Sequence, residues 1–170
     1  MDRLTQRLFT ALWPAPSLQA ALAKWQGSWD WPRQAARVKT DRLHATLHFL
    51  GDVPAHRLPE LASALAVPFE SFELELGVAG VWPNGVAVVE PVATPSALTE
   101  LHARMGKVLS RMEIPVDARA YRPHVTLARR AHGAKPPPEG PALRWRVDEG
   151  YVLVRSLPGG AGYEVIARFG

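Results

Sequence analysis

The chain has 170 residues, 47% hydrophobic and 21% charged, which is enough apolar material for one domain or two small lobes and too little charge for extended disorder. It holds no cysteine, which excludes disulfides, thiolate nucleophiles and cysteine-bound metal centres and is compatible with a reducing cytoplasm. Its 20 basic against 16 acidic residues leave a net charge of +4, and an arginine-rich basic set favours anionic partners, phosphates above all, because a guanidinium offers two parallel hydrogen bonds.

No apolar run approaches the roughly eighteen residues of a membrane span, and the apolar centre of "MDRLTQRLFTALWPAP" is too short for a signal peptide. "RLFTALW" reads instead as a first strand, closed by "PAP", after which Ser17 can cap a helix with Leu18, Ala21, Leu22 and Trp25 on one face. Val38 and Lys39 lead into a strand, "LHATLHFLG", stopped by Gly51 and Asp52. A helix opens at Pro54 and carries Leu58, Leu61 and Leu65. Then come the alternating strand "FESFELELGVAGVW", a turn at Pro83-Asn84-Gly85 and the strand "VAVVEPV". Thr94-Pro95 starts the longest helix, whose stripe is Leu98, Leu101, Met105, Val108 and Leu109. "YRPHVTLARR" is the next strand, "AHGAKPPPEGPA" an exposed loop, and "LRWRVDEGYVLVRSL" and "GYEVIARFG" two final strands joined through Pro158-Gly159-Gly160. Too many strands follow one another for an alternating parallel sheet, so an α+β fold with mainly antiparallel sheets is expected.

Two of these strands share a pattern: "RLHATL" and "RPHVTL" place His44 and His124 eighty residues apart, each followed two positions later by a threonine, Thr46 and Thr126. Strand alternation puts His44, Thr46 and His48 on one face and Ala45, Leu47 and Phe49 on the other; in the second copy His124 and Thr126 oppose Val125 and Leu127. An imidazole titrates near neutrality, so two of them make an acid–base pair, while threonine hydroxyls donate to phosphate oxygens without titrating. The alternative reading of one such pair is an ordinary polar strand face, since threonine is a good strand former.

The paired "HATL" and "HVTL", with "RLFTAL", "RVKTDRLHATLHFLGDV" and "YRPHVTLAR" around them, resemble the 2H phosphoesterase superfamily, and among its members the RNA 2′,3′-cyclic phosphodiesterases, also named 2′–5′ RNA ligases. The resemblance covers essentially the whole chain. It implies a single domain over residues 1–170 made of two pseudo-twofold lobes with a central cleft, no cofactor and no metal. The reaction it implies opens a 2′,3′-cyclic phosphate at an RNA end, tRNA halves among them, to a 2′-phosphomonoester, with or without reversible 2′–5′ ligation. His44 would be the proton donor to the departing 3′ oxygen and His124 the proton acceptor that activates water, though the sequence alone allows the two roles to be exchanged. Thr46 and Thr126 would hold phosphate oxygens.

The resemblance also brings an arginine, matching Arg129, to the substrate. Strict alternation places Arg129 on the Val125 face and Arg130 on the His124 face, so the strand must end or bulge for Arg129 to reach the cleft. Both arginines stay in the expected site. Phe9, the aromatic of "RLF", is expected either to line the base-binding side or to pack in the core. A zinc site from His44 and His48 is disfavoured, because four strand residues span about 13 Å. The protein is expected to be a cytoplasmic monomer acting on RNA, without membrane or obligatory protein partners. A non-catalytic RNA-binding module, and the same chemistry on small cyclic nucleotides or 2′–5′ oligonucleotides, are the competing readings.

Overall fold

A computed structural model describes residues 4–170; the first three residues of the N-terminal stretch lie outside it. The first strand, β1 (Thr5–Leu12), is followed by helix α1 (Pro16–Gln26), the short β2 (Ala36–Arg37) and β3 (Ala45–Pro54). Helix α2 (Leu58–Ala64), β4 (Phe72–Val81), β5 (Ala87–Pro91), helix α3 (Ser96–Arg111) and β6 (Val125–Arg129) come next. The chain ends with β7 (Leu143–Val147), β8 (Tyr151–Ser156) and β9 (Tyr163–Phe169).

These strands build two sheets in the order β3-β1-β8-β9 and β2-β6-β5-β4-β7, and every pairing is antiparallel. The α+β fold with two antiparallel sheets expected from the order of elements is the one found. One buried apolar cluster runs through both sheets, from Leu8 and Leu12 of β1 through Leu98, Leu101, Met105 and Leu109 of α3 to Leu74 and Leu76 of β4. The helical spacing of the α3 stripe was therefore a reliable guide to what it buries. A second, small cluster of Phe9, Ala11, Val152 and Val154, with Trp13 and Val165 against it, occupies the opposite face of the first sheet. No helix among the described residues is long and apolar enough to cross a membrane.

Several details differ from the sequence reading, among them that α2 opens at Leu58 and not at Pro54, which closes β3. Helix α1 starts at Pro16 with Ala15 at its N-cap and no side-chain cap, so Ser17 does not serve there; proline's missing N–H costs nothing in a first turn. Its fully buried face is Gln19, Leu22 and Gln26, and the two glutamines are tolerated because each amide donates to a backbone carbonyl: Gln19 to Leu43, and Gln26 to both Val38 and Leu127. The strand after the first motif passes Gly51 and Asp52 and runs on to Pro54, Gly51 taking a φ of 72°. The segment "LRWRVDEGYVLVRSL" is two strands in different sheets, broken at Gly150, whose φ of 96° and contact with the Phe169 carbonyl leave no room for a side chain. The β8–β9 hairpin through Pro158–Gly160 forms as expected.

Candidate active site

Each histidine of the pair stands one residue before its strand, His44 ahead of β3 and His124 ahead of β6. Both are oriented by the same local device. His44 Nδ1 donates to the carbonyl of Arg42 at 2.7 Å, and His124 Nδ1 donates to that of Arg122 at 2.8 Å. Because a carbonyl only accepts, Nδ1 carries the proton in both neutral rings and Nε2 is left as the working nitrogen. On the first wall Nε2 of His44 meets the Thr46 hydroxyl at 3.1 Å.

The surroundings of the two rings differ. His44 is packed between Phe9 and Trp13, with centroids at 5.0 and 4.9 Å, and the Trp13 and His44 rings are parallel within 4°; Tyr163 stands edge-on at 5.4 Å. Burial here, opposed by the Arg42 carbonyl and joined by the charges of His124 and Arg129, lowers its pKa to about 4. His124 meets the Trp82 ring at 4.5 Å. Its pKa is also lowered, first by burial, but the Glu90 carboxylate pulls the other way. Glu90 itself pairs through both oxygens with Arg122, whose guanidinium lies 4.8 Å over Trp82.

The threonines sit in the two strands as alternation predicts, but alternation fails immediately after them, in both strands and at the same residue. In the β1–β3 ladder Thr10 faces His48 while Ala11 faces Thr46, which leaves Leu47 as the extra residue of a bulge. In the β5–β6 ladder Ala87 faces Ala128 while Val88 faces Thr126, which leaves Leu127 in the same position. Two consecutive residues are therefore buried in each strand, Leu47 with His48 and Leu127 with Ala128.

This corrects the expected face of His48 and Phe49: His48 is only 6% exposed and points inward, and Phe49 is 68% exposed. His48 instead stacks on His102 of α3, which stacks on Tyr121, each at 3.9 Å, and the Tyr121 hydroxyl donates to the Thr46 carbonyl at 3.0 Å. The same shift bears on the placement of the two arginines. With Leu127 bulged, Arg129 returns to the face of Thr126, and its charge bears on both His44 and His124. Arg130 is exposed at a φ of 52°, where the strand ends. Phe9 is 4% exposed, packed behind the His44 ring, which leaves it little free surface.

The residues that the motifs did not disclose are Trp13, Tyr163, Trp82 and Glu90. All four come from other strands or strand ends, so only the sheet order brings them to the imidazoles. Among the described residues no group of three or more His, Asp or Glu side chains is placed to hold a metal ion.

A family model described as the 2′-5′ RNA ligase superfamily matches residues 14–157. An RNA 2′,3′-cyclic phosphodiesterase of Thermus thermophilus is 33% identical over 96% of this chain and 89% of its own length, and one of Escherichia coli is 32% identical over 78% of each chain. The crystal structure of E. coli LigT complexed with 3′-AMP superposes with a TM-score of 0.87 at 27% identity, covering 97% of both chains. The chain, matched over most of its length by the family model and by these relatives, belongs to the 2′-5′ RNA ligase superfamily of 2H phosphoesterases.

Proposed function

We propose that this protein hydrolyses RNA 2′,3′-cyclic phosphodiester ends to 2′-phosphomonoesters, with His44 as proton donor, His124 as proton acceptor and no metal in the reaction. The observation that carries this reading is the pair of imidazoles, each holding its Nδ1 proton on a carbonyl and leaving Nε2 as the working nitrogen, that of His44 beside the Thr46 hydroxyl, with Arg129 acting on both. The curated relatives named RNA 2′,3′-cyclic phosphodiesterase support the substrate.

In the forward step Nε2 of His124 takes a proton from water as its oxygen attacks phosphorus. The bond to the 3′ oxygen breaks, and protonated His44 delivers its Nε2 proton to that oxygen. The products are a 2′-phosphomonoester and a 3′ hydroxyl. Thr46, Thr126 and Arg129 hold the non-bridging oxygens, whose charge rises in the five-coordinate transition state, and Arg130 is the cation at the rim. With a ribose 5′ hydroxyl in place of water the same steps make a 2′–5′ linkage. Both motifs come from one chain, so no partner subunit is needed to complete the site.

His44 must be protonated to act as the acid, yet burial lowers its pKa to about 4. A bound phosphodiester brings negative charge against the ring and raises its pKa, so the acid form is assembled with the substrate. The test is turnover of an oligonucleotide with a 2′,3′-cyclic end in EDTA. A 2′-phosphate product is expected; its absence, or appearance of product only when a divalent metal is supplied, overturns the reading.

A further inference from the structure

We infer that Tyr121 is a positioning residue: its hydroxyl holds the Thr46 peptide where the Thr46 side chain meets both His44 and the phosphate. This rests on the proposed reaction and names what keeps one of its threonines in place.

The first motif is bulged at Leu47, and a bulge disturbs the ladder on either side of the extra residue. Side chains take up the backbone groups there. The His48 N–H donates to the Thr10 hydroxyl at 3.1 Å, and that hydroxyl donates in turn to Met105 Sδ at 3.0 Å. The Thr46 carbonyl accepts from the Tyr121 hydroxyl at 3.0 Å. These two groups flank the bulged residue, so they fix the course of the backbone that aims the Thr46 side chain. That side chain meets Nε2 of His44 at 3.1 Å.

Tyr121 also ties one wall of the site to the other. It lies three residues before His124, in the segment that leads into β6, while Thr46 lies in β3 of the other sheet. Among the described residues no other hydrogen bond joins segment 121–129 to β3. Between Tyr121 and His124 the chain is short and stiff. The Arg122 carbonyl accepts from His124 Nδ1 at 2.8 Å, and the buried Pro123 restricts its own φ and the residue before it. The phenol ring is itself clamped. It stacks on His102 of α3 at 3.9 Å and within 11°, and His102 stacks on His48, whose Nε2 donates to the His102 carbonyl at 2.9 Å. Burial raises the phenol's pKa, so the hydroxyl stays protonated and donates throughout the working range. A carbonyl held by a stacked phenol moves little, and contacts made in the transition state are lost steeply when their donor is displaced.

The experiment is a double-mutant cycle on an oligonucleotide with a 2′,3′-cyclic end. Tyr121→Phe keeps the stacked ring and removes only the oxygen. It is expected to lower kcat about tenfold, with KM within about twofold of wild type. In a Thr46→Val background the same change should lower kcat no further, and in a Thr126→Val background it should again lower it about tenfold. Equal losses in the two backgrounds, or no loss in the wild-type background, overturn the assignment. A ligand-free measurement separates this from the proposed reaction: the imidazole nitrogen-15 shift of His44 Nε2 at pH 7.5, which reads the hydrogen bond from Thr46. Tyr121→Phe should move that shift toward its value in Thr46→Val and leave the His124 shift in place. If wild type turns over no cyclic phosphate but the His44 shift moves in this way, the reaction falls and the positioning role stands. If the His44 shift is unchanged in Tyr121→Phe, the positioning role falls whatever the turnover.

Discussion

At the scale of single residues, the two imidazoles separate by what happens when each is removed. His44→Ala and His124→Ala are each expected to lower kcat by about 10² to 10⁴-fold, the usual range for one acid–base group. Their roles separate on an aryl phosphodiester, whose phenolate leaves without a proton: loss of His44 should cost far less there than on the ribose ester, while loss of His124 should cost the same on both. A reversed pattern would exchange acid and base. Arg129→Ala should cost at least tenfold in kcat/KM, and Arg130→Ala about twofold or less, because Arg129's charge alone registers on both rings. The candidate histidines and threonines were legible from the sequence, since "HATL" and "HVTL" single them out by pattern. The different placement of Arg129 and Arg130 was not, because a bulge changes which residues share a face without changing any residue.

At the scale of elements, the bulges need support, since an extra strand residue leaves backbone groups without ladder partners. Each motif finds that support on a helix. The Leu127 carbonyl accepts from Val38 N–H at 2.9 Å and from the Gln26 amide of α1 at 2.8 Å. The Leu47 carbonyl faces the His102 ring of α3, whose pKa burial and the neighbouring His48 lower to about 4 against the pull of that carbonyl. Buried glutamine on α1 is thus not an accident of composition; it holds the second motif. Gln26→Leu should cost about 1–3 kcal/mol, because it strands the Val38 carbonyl and weakens the hold on Leu127. Chemical denaturation measures that loss, and a drop in kcat on the cyclic-phosphate substrate larger than that of a control such as Leu18→Ala would show that the bulge feels it. Apolar periodicity could not anticipate this arrangement: it predicted α1 from Leu18, Leu22 and Trp25 and was silent on glutamines that point the same way.

At the scale of the whole molecule, fold class, helices and most strands followed from pattern, while the sheet order did not. The split of β7 from β8 depends on Gly150 passing close to Phe169, a long-range contact with no local signal beyond the glycine itself. The same packing buries one imidazole, His48, and half-buries three more, His44, His102 and His124, and that has a consequence for pH. His44 and His102 are held near 4, and His48 and His124 are also lowered, burial being the first cause in every case. In the unfolded chain these groups take up protons near their ordinary value of about 6.5. Between about 6.5 and 4 the unfolded state therefore binds more protons than the folded one, and stability rises with pH across that window. The contribution is fully present above about 6.5 and is lost progressively as pH falls, for His44 and His102 down to about 4. Thermal unfolding should show Tm falling by several degrees from pH 7.5 to pH 4.5. His102→Gln, which removes one of the two stacked imidazoles behind the site while leaving His44 and His124 in place, should flatten that slope. A Tm independent of pH across the window, or a slope unchanged in His102→Gln, would mean that the buried stack is not what makes this fold acid-sensitive.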